Sequence, residues 1–288
     1  MLIRKGVAME SKTRDARPGK LVPGMPLNEK QITQGFRISG GIEGILTRLF
    51  NIICLDVTGG RGITPIQWNK LMIDYIKMMV DNNTTMDRSS IRGNMNKELR
   101  RPSMTWNVLC KGLRFLKFEA FTVSMHGGLQ DGREFNVYTS VSFVPESKFE
   151  HLFPKELPYR SAINRKLTKT KGLNVTRPLP YGYSSVLARL LNLICLDITD
   201  GNGFSQIQWN DMLSEFIDET EGHLDADKRM NVRSNLNKEF RLSKMTWKVF
   251  CKGLRFLRVA NFTLVITAYR EDGTIFECET PINFAPRK

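Results

Sequence analysis

The sequence predicts an α+β fold made of two copies of one unit, a tandem duplication packed as a pseudo-twofold dimer. Three observations carry that expectation. The run Met104-Thr105-Trp106-Asn107-Val108-Leu109-Cys110-Lys111-Gly112-Leu113-Arg114-Phe115-Leu116 returns almost unchanged as Met245-Thr246-Trp247-Lys248-Val249-Phe250-Cys251-Lys252-Gly253-Leu254-Arg255-Phe256-Leu257. Cys195 follows Cys54, Trp209 follows Trp68 and Phe284 follows Phe143, each by 141 residues, and the register needs no gap between Leu46 and Pro145. In each copy the apolar spacing then changes from helical to alternating, near Phe118 and near Val259. Duplication of a whole domain fits this long period, whereas a solenoid of short repeats does not.

Each copy opens with an apolar helix, over about 42–57 and 183–198, stopped by Thr58-Gly59-Gly60-Arg61-Gly62 or Thr199-Asp200-Gly201-Asn202-Gly203. A second helix starts at Thr64-Pro65, where proline's fixed φ and missing N–H suit a first turn, and runs through Trp68, Leu71 and Ile76. A third covers about 88–100, and the repeated run is the fourth. On a helical wheel Trp106, Leu109, Leu113 and Leu116 share one side of that fourth helix. Asn107, Lys111 and Arg114 gather on the other, with Lys117 at the boundary. The second copy keeps the basic side as Lys248, Lys252 and Arg255, with Arg258 at the boundary. One face therefore reads as core and the other as a cationic stripe.

The period then becomes two. Phe121, Val123 and Met125 alternate with Thr122, Ser124 and His126, Asp131-Gly132 supplies a turn, and Phe135, Val137, Thr139, Val141 and Phe143 alternate again. The second copy repeats this antiparallel hairpin through Phe262, Leu264, Ile266, Asp272-Gly273, Phe276, Cys278, Ile282 and Phe284. A lone hairpin is unstable in water, so the two are expected to pack on their helices and approach each other. The polar hairpin face, with Thr122, Ser124, His126, Tyr138, Thr263 and Thr267, lacks cations and reads as plain solvent face.

The resulting organisation is a flexible basic arm over 1–35, a repeat domain over 36–145, a basic Pro-containing connector over 146–180 and a second repeat domain over 181–288. The arm carries Arg4, Lys5, Lys12, Arg14, Arg17 and Lys20, and the connector holds Pro154, Pro158, Pro178 and Pro180 among lysines and arginines, with a short helix near 146–153.

Composition narrows the function. A hydrophobic content of 41% over 288 residues excludes disorder as the main state, and a net charge of +14 with a pI near 9.7 favours polyanionic partners. No apolar run reaches membrane-spanning length and Met1-Leu2-Ile3-Arg4-Lys5 lacks a signal-peptide pattern, so a soluble cytoplasmic protein with no membrane partner is expected. Five cysteines, four of them in equivalent pairs within apolar helical patterns, read as reduced, buried thiols.

The candidate binding residues are Arg92, Asn96, Lys97, Arg100, Lys111, Arg114 and Lys117, repeated as Arg233, Asn237, Lys238, Arg241, Lys252, Arg255 and Arg258, together with Lys248. Lysine and arginine supply charge for phosphates, and asparagine can bond to phosphate or to base edges. This predicts a non-enzymatic nucleic-acid-binding protein, with RNA or single-stranded DNA favoured over duplex DNA. The bland alternative pairs Glu98 with Lys97 or Arg100 and makes the asparagines caps. Two other functional readings are an interaction or structural protein docking on an acidic partner and a helix-turn-helix regulator of duplex DNA, the latter from the break at Arg101-Pro102-Ser103. Trp68, Trp106, Trp209 and Trp247 could stack on bases but suit the core better. Catalysis, metals and cofactors are not expected. His126, His151 and His223 are scattered, no nucleophile or metal motif occurs, and a calcium loop at Asp200-Gly201-Asn202-Gly203 fails because Ile198 and Trp209 hold its end ligand positions.

The Met-Thr-Trp-x-Val-x-Cys-Lys-Gly-Leu-Arg-Phe-Leu helix followed by an Asp-Gly hairpin resembles segments of tandem-repeat proteins of large tailed bacteriophages. The similarity covers the helix and hairpin of each copy, not the arm or connector. It implies a phage protein made in bacterial cytoplasm, of the kind that binds phage transcripts, and assigns no functional residue.

Overall fold

Apolar residues at helical spacing build four helices in each half of the chain. In the computed structural model, which describes residues 36–38, 44–79, 88–101, 104–144, 179–180 and 183–284, the first half holds α1 (Ile45–Val57), α2 (Pro65–Met79), α3 (Arg88–Leu99) and α4 (Trp106–Phe115). The second holds α5 (Val186–Asp197), entered through a 3₁₀ turn at Tyr183–Ser185, then α6 (Gln206–Glu221), α7 (Ala226–Arg241) and α8 (Trp247–Phe256). The strands are β1 (Phe36–Ile38), β2 (Ala120–Leu129), β3 (Glu134–Ser142), β4 (Leu179–Pro180), β5 (Val259–Tyr269) and β6 (Ile275–Phe284). The chain is thus α+β. The arm at 1–35, the connector apart from 179–180 and the expected helix near 146–153 lie outside the described residues.

Local chemistry sets the helix ends. Thr105 and Thr246 cap α4 and α8, each side chain accepting the N–H three residues on, from Val108 at 3.3 Å and Val249 at 3.2 Å. Ser205 and Gln208 form a capping box at the start of α6. After α1 and α5 the hydroxyls of Thr58 and Thr199 accept the N–H of Gly62 and Gly203, folding the glycine-rich stops into matching loops. Lys117 and Arg258 adopt φ of 64° and 58°, and each turns the chain from its helix into the following strand.

The two hairpins, β2–β3 and β5–β6, join edge to edge through antiparallel pairing of β2 with β5. The full sheet order is β1-β6-β5-β2-β3-β4, with the short outer strands β1 and β4 parallel to their neighbours. Ser124 faces Val265, residues 141 apart, and the pairs on either side are Val123 with Ile266 and Met125 with Leu264. Equivalent positions of the halves therefore meet at one point of the seam. A bulge at Gly128/Leu129 breaks the match at one end.

The first helix of each half packs on the other half's hairpin. α1 lies against β6 and its own α4, while α5 lies against β3 and its own α8. One buried cluster runs from Ile45 to Ile282 through both halves, so they share a core and are not two separately packed domains. Cross-half hydrogen bonds seal this arrangement. Trp106 Nε1 donates to the Tyr183 carbonyl at 2.8 Å, the Asn136 N–H to Asp197 Oδ2 at 2.8 Å, and Arg270 Nη2 to the Leu116 carbonyl at 3.1 Å.

The second face of the sheet differs from the expected plain solvent face. Thr122, Ser142 and Tyr269 are buried there, Tyr269 against Ala120, and the Thr122 hydroxyl is hydrogen-bonded to that of Ser140. His126 is exposed as expected.

Candidate nucleic-acid interface

α3 and α7 are the most polar helices of their halves, each burying only two side chains, Met95 and Leu99 or Leu236 and Phe240. Their remaining residues face outward or brace the neighbouring helices, which decides what each expected site residue does.

Asn96 and Asn237 brace tryptophans. Trp68 Nε1 donates to Asn96 Oδ1 and Trp209 Nε1 to Asn237 Oδ1, both at 2.8 Å. The indoles sit beside Phe115 and Phe256, with ring centroids 4.7 and 4.9 Å away, so all four tryptophans serve packing, with Trp209 only half-buried. Asn96→Ala is expected to cost about 1–3 kcal/mol, because it orphans a buried N–H. Thermal unfolding of Asn96→Ala, Trp68→Phe and the double variant checks this, since the double should cost less than the sum of the singles if the bond couples them.

Four of the expected cations are held by carboxylates. Lys111 pairs with Glu98 at 2.9 Å and Lys252 with Glu239 at 2.6 Å, clamping α4 to α3 and α8 to α7. Glu98 thus pairs with Lys111 and not with Lys97 or Arg100. Lys117 pairs with Asp74 at 2.6 Å, holding the Asp74 carboxyl below its ordinary range, and Arg258 bridges Glu215 at 3.0 Å and Glu219 at 2.7 Å. These last pairs tie the left-handed turn residues back to α2 and α6. Arg92 donates to Asn69 Oδ1 at 3.1 Å, and Arg233 reaches the Ser214 hydroxyl and the Asn210 carbonyl.

Stacking engages two more. Arg100 lies over the Trp68 ring at 5.7 Å and Arg255 over the Phe284 ring at 5.3 Å, each with its charge still open to an anion. Arg114 is half-buried near Tyr75. Lys97, Lys238, Arg241 and Lys248 are exposed and make no ion pair among the described residues.

Most of the expected cations left open therefore stand at two corners. At the α3–α4 corner stand Lys97, Arg100 and Arg101, and at the α7–α8 corner Lys238, Arg241, Lys244 and Lys248, all exposed. Arg101 and Lys244 were not among the expected site residues, though their position in the break between two helices marks them as loop cations free of helix pairing. Arg48 and Arg189 were also missed. They occupy equivalent places inside the apolar α1 and α5, where burial lowers both pKa values, and retention of an arginine in the most apolar helix of each half is the signal for them.

α4 does not project as a groove-reading helix would. Six of its ten residues are buried and α1, α2 and α3 surround it, which argues against helix-turn-helix docking.

The halves differ in charge. Over 44–144 the described residues include 13 Lys and Arg against 6 Asp and Glu, whereas over 183–284 there are 12 against 14. The second half's excess acid lies on α6 and the start of α7, at Asp211, Glu215, Asp218, Glu219, Glu221, Asp225 and Asp227. No group of three or more metal-ligating side chains occurs among the described residues, and no described helix is long and apolar enough to cross a membrane. Cys54, Cys110, Cys251 and Cys278 are buried free thiols and Cys195 is half-buried, and burial pushes the Cys195 and Cys278 thiols up to about 12. Such thiols are poor nucleophiles.

No protein-family model, curated protein or solved structure matches the chain.

Proposed function

We propose that this protein is a non-enzymatic nucleic-acid-binding protein that holds the phosphate backbone of RNA or another single strand with the cations at its two helix corners. The observation that carries the reading is a group of exposed cations with no carboxylate partner among the described residues, Lys97, Arg100 and Arg101 at one corner and Lys238, Arg241, Lys244 and Lys248 at the other. Exposed lysines and arginines suit a flexible backbone, and the buried α4 and α8 are not free to enter a major groove. Charge contrast makes the first corner the stronger one, because its half carries an excess of cations and the second half does not.

We further infer that the halves arose by tandem duplication and that the chain folds as an intramolecular pseudo-dimer. The meeting of Ser124 with Val265 in the sheet and the exchange of first helices between hairpins support that reading. The phage resemblance adds no residue to it.

Mobility-shift titrations with single-stranded RNA, single-stranded DNA and duplex DNA test the function. Binding to single strands is expected to be tightest and to weaken with salt along a slope of about 0.7 for each phosphate contact. Absence of binding to all three at low salt overturns the proposal. Survival of an acidic protein partner through nuclease treatment, with no nucleic-acid binding, points to the interaction reading in its place.

A further inference from the structure

α2 and α6 occupy equivalent places in the two halves, and a stripe on the solvent face of each carries charges of opposite sign at equivalent positions. On α2 the positions i, i+4, i+7 and i+11 are Ile66, Lys70, Ile73 and Lys77, which form one stripe. The residues 141 further on, along α6, are Ile207, Asp211, Ser214 and Asp218. Ile66 is 82% exposed, Ile207 74% and Ile73 50%, so each stripe offers at least one large apolar side chain to water. Both lysines and both aspartates are exposed as well. Nothing in the fold demands this sign reversal. The residues that anchor the two helices keep their chemistry, with Trp68 matching Trp209, Met72 matching Leu213 and Asp74 matching Glu215, the last two each held by the cation of a turn.

We infer that this face of α2 docks on the matching face of α6 from a second copy of the chain. In the register that sets Lys70 and Lys77 against Asp211 and Asp218, Ile66 would cover Ile207 and Ile73 would lie over Ser214. Asp218 is bonded to Arg229 at 3.1 Å, but its side chain is 64% exposed and keeps room for a second cation. The chosen occupant is a second copy because the complementary stripe is on this chain. Like stripes repel, since lysine would face lysine or aspartate would face aspartate, so α2 does not pair with α2 nor α6 with α6, and α2 selects α6. If both contacts form at once, α2 on α6 and α6 on α2, the assembly closes as a twofold dimer; if one forms, an α2 and an α6 stay free at the ends and growth continues into an open chain of copies unless the rotation closes a ring. Two helix stripes make a small interface, and weak assembly that grows with concentration follows.

The test is sedimentation velocity on nuclease-treated full-length protein over a concentration series, with three chains. The parent is expected to show a sedimentation coefficient that rises with concentration. The variant Lys70→Asp/Lys77→Asp carries two acidic stripes and the variant Asp211→Lys/Asp218→Lys two basic ones, and each alone is expected to stay monomeric. Mixed in equal amounts, the two variants are expected to associate again, because every acidic α2 then finds a basic α6 and every basic α2 an acidic α6. The changed side chains are exposed, and circular dichroism on the same samples verifies that the variants are folded. A parent that stays monomeric throughout overturns the inference. So do variants that assemble like the parent, a mixture that fails to regain assembly, or association that needs nucleic acid.

Discussion

Replacing Gly127 with alanine is expected to destabilise the whole protein by about 3 kcal/mol or more and to unfold both halves together. Gly127 lies in β2 opposite Phe262 of β5, at the seam that joins the hairpins. A Cβ there would run into the backbone carbonyl of Asn261 and come within 2.8 Å of the Phe262 Cα and Cβ. Backbone cannot swing aside as a side-chain tip can, so relief requires opening β2 from β5. That separation would uncover the core shared by both halves, into which α1 packs against β6 and α5 against β3. The neighbouring Gly128→Ala is the control. Its nearest atom beyond the chain neighbours is 3.8 Å away, and a cost under about 1 kcal/mol is expected. Urea unfolding followed by tryptophan fluorescence and by far-ultraviolet circular dichroism reads both variants. The Gly127→Ala midpoint should fall in one transition common to both probes. A second transition, with one half surviving the loss of the seam, would contradict the shared core.

Ala268, the residue equivalent to Gly127, shows what the sequence could and could not disclose. The 141-residue register exposes the substitution, but the close approach of Asn261 and Phe262 that leaves no room for a Cβ at Gly127 is visible only in the β2–β5 pairing, whose register shifts beside it at Gly128/Leu129. Periodicity likewise placed the helices and hairpins. Trp106, Leu109 and Leu113 fix the inner face of α4, and Asp131-Gly132 fixes the hairpin turn, because these are local choices of backbone and burial. Which hairpin each first helix covers is not local. α1 is as apolar as either partner requires, and its seat on β6 follows from the β2–β5 seam, a pairing between distant residues.

The candidate site was legible in composition more than in partnership. Lys111 and Arg114 fall on the polar side of α4 as helical spacing requires, yet that side faces Glu98 on α3 and Tyr75 on α2, so the stripe is partly inside the helical layer. Asn96 reads as a phosphate donor in the sequence, but its recurrence as Asn237 is equally well explained by a tryptophan 28 residues earlier in each half, and only packing selects between them. The cations at the helix corners, by contrast, meet no carboxylate among the described residues. That is why the open cations stand mostly at the ends of α3 and α7 and in the breaks after them, with Lys248 on α8 beside them.

The binding variants follow from this shift. Replacing Lys97, Arg100 and Arg101 together with alanine is expected to weaken single-strand binding on the order of 100-fold at about 0.1 M salt and to lower the salt slope by about 2, if each cation meets one phosphate at about 0.7 per contact. Lys97 and Arg101 make no side-chain bond within the described residues, and Arg100 gives up only a stacking contact over Trp68, so stability should fall by about 1 kcal/mol at most. Replacing Lys238, Arg241, Lys244 and Lys248 removes one more charge, yet a smaller loss is expected. The carboxylates of α6 and α7 weaken the field that draws a polyanion to that half. Lys111→Ala with Lys252→Ala should act differently again. It breaks two clamps whose side chains are about one-third exposed, with a stability cost of about 0.5–1 kcal/mol and little change in the salt slope. Filter-binding titrations of the three variants against one single-stranded RNA, repeated at several salt concentrations, order these effects. If the clamp variant loses more affinity than the first-corner variant, the strand lies along α4 and α8 and the corners are not the site.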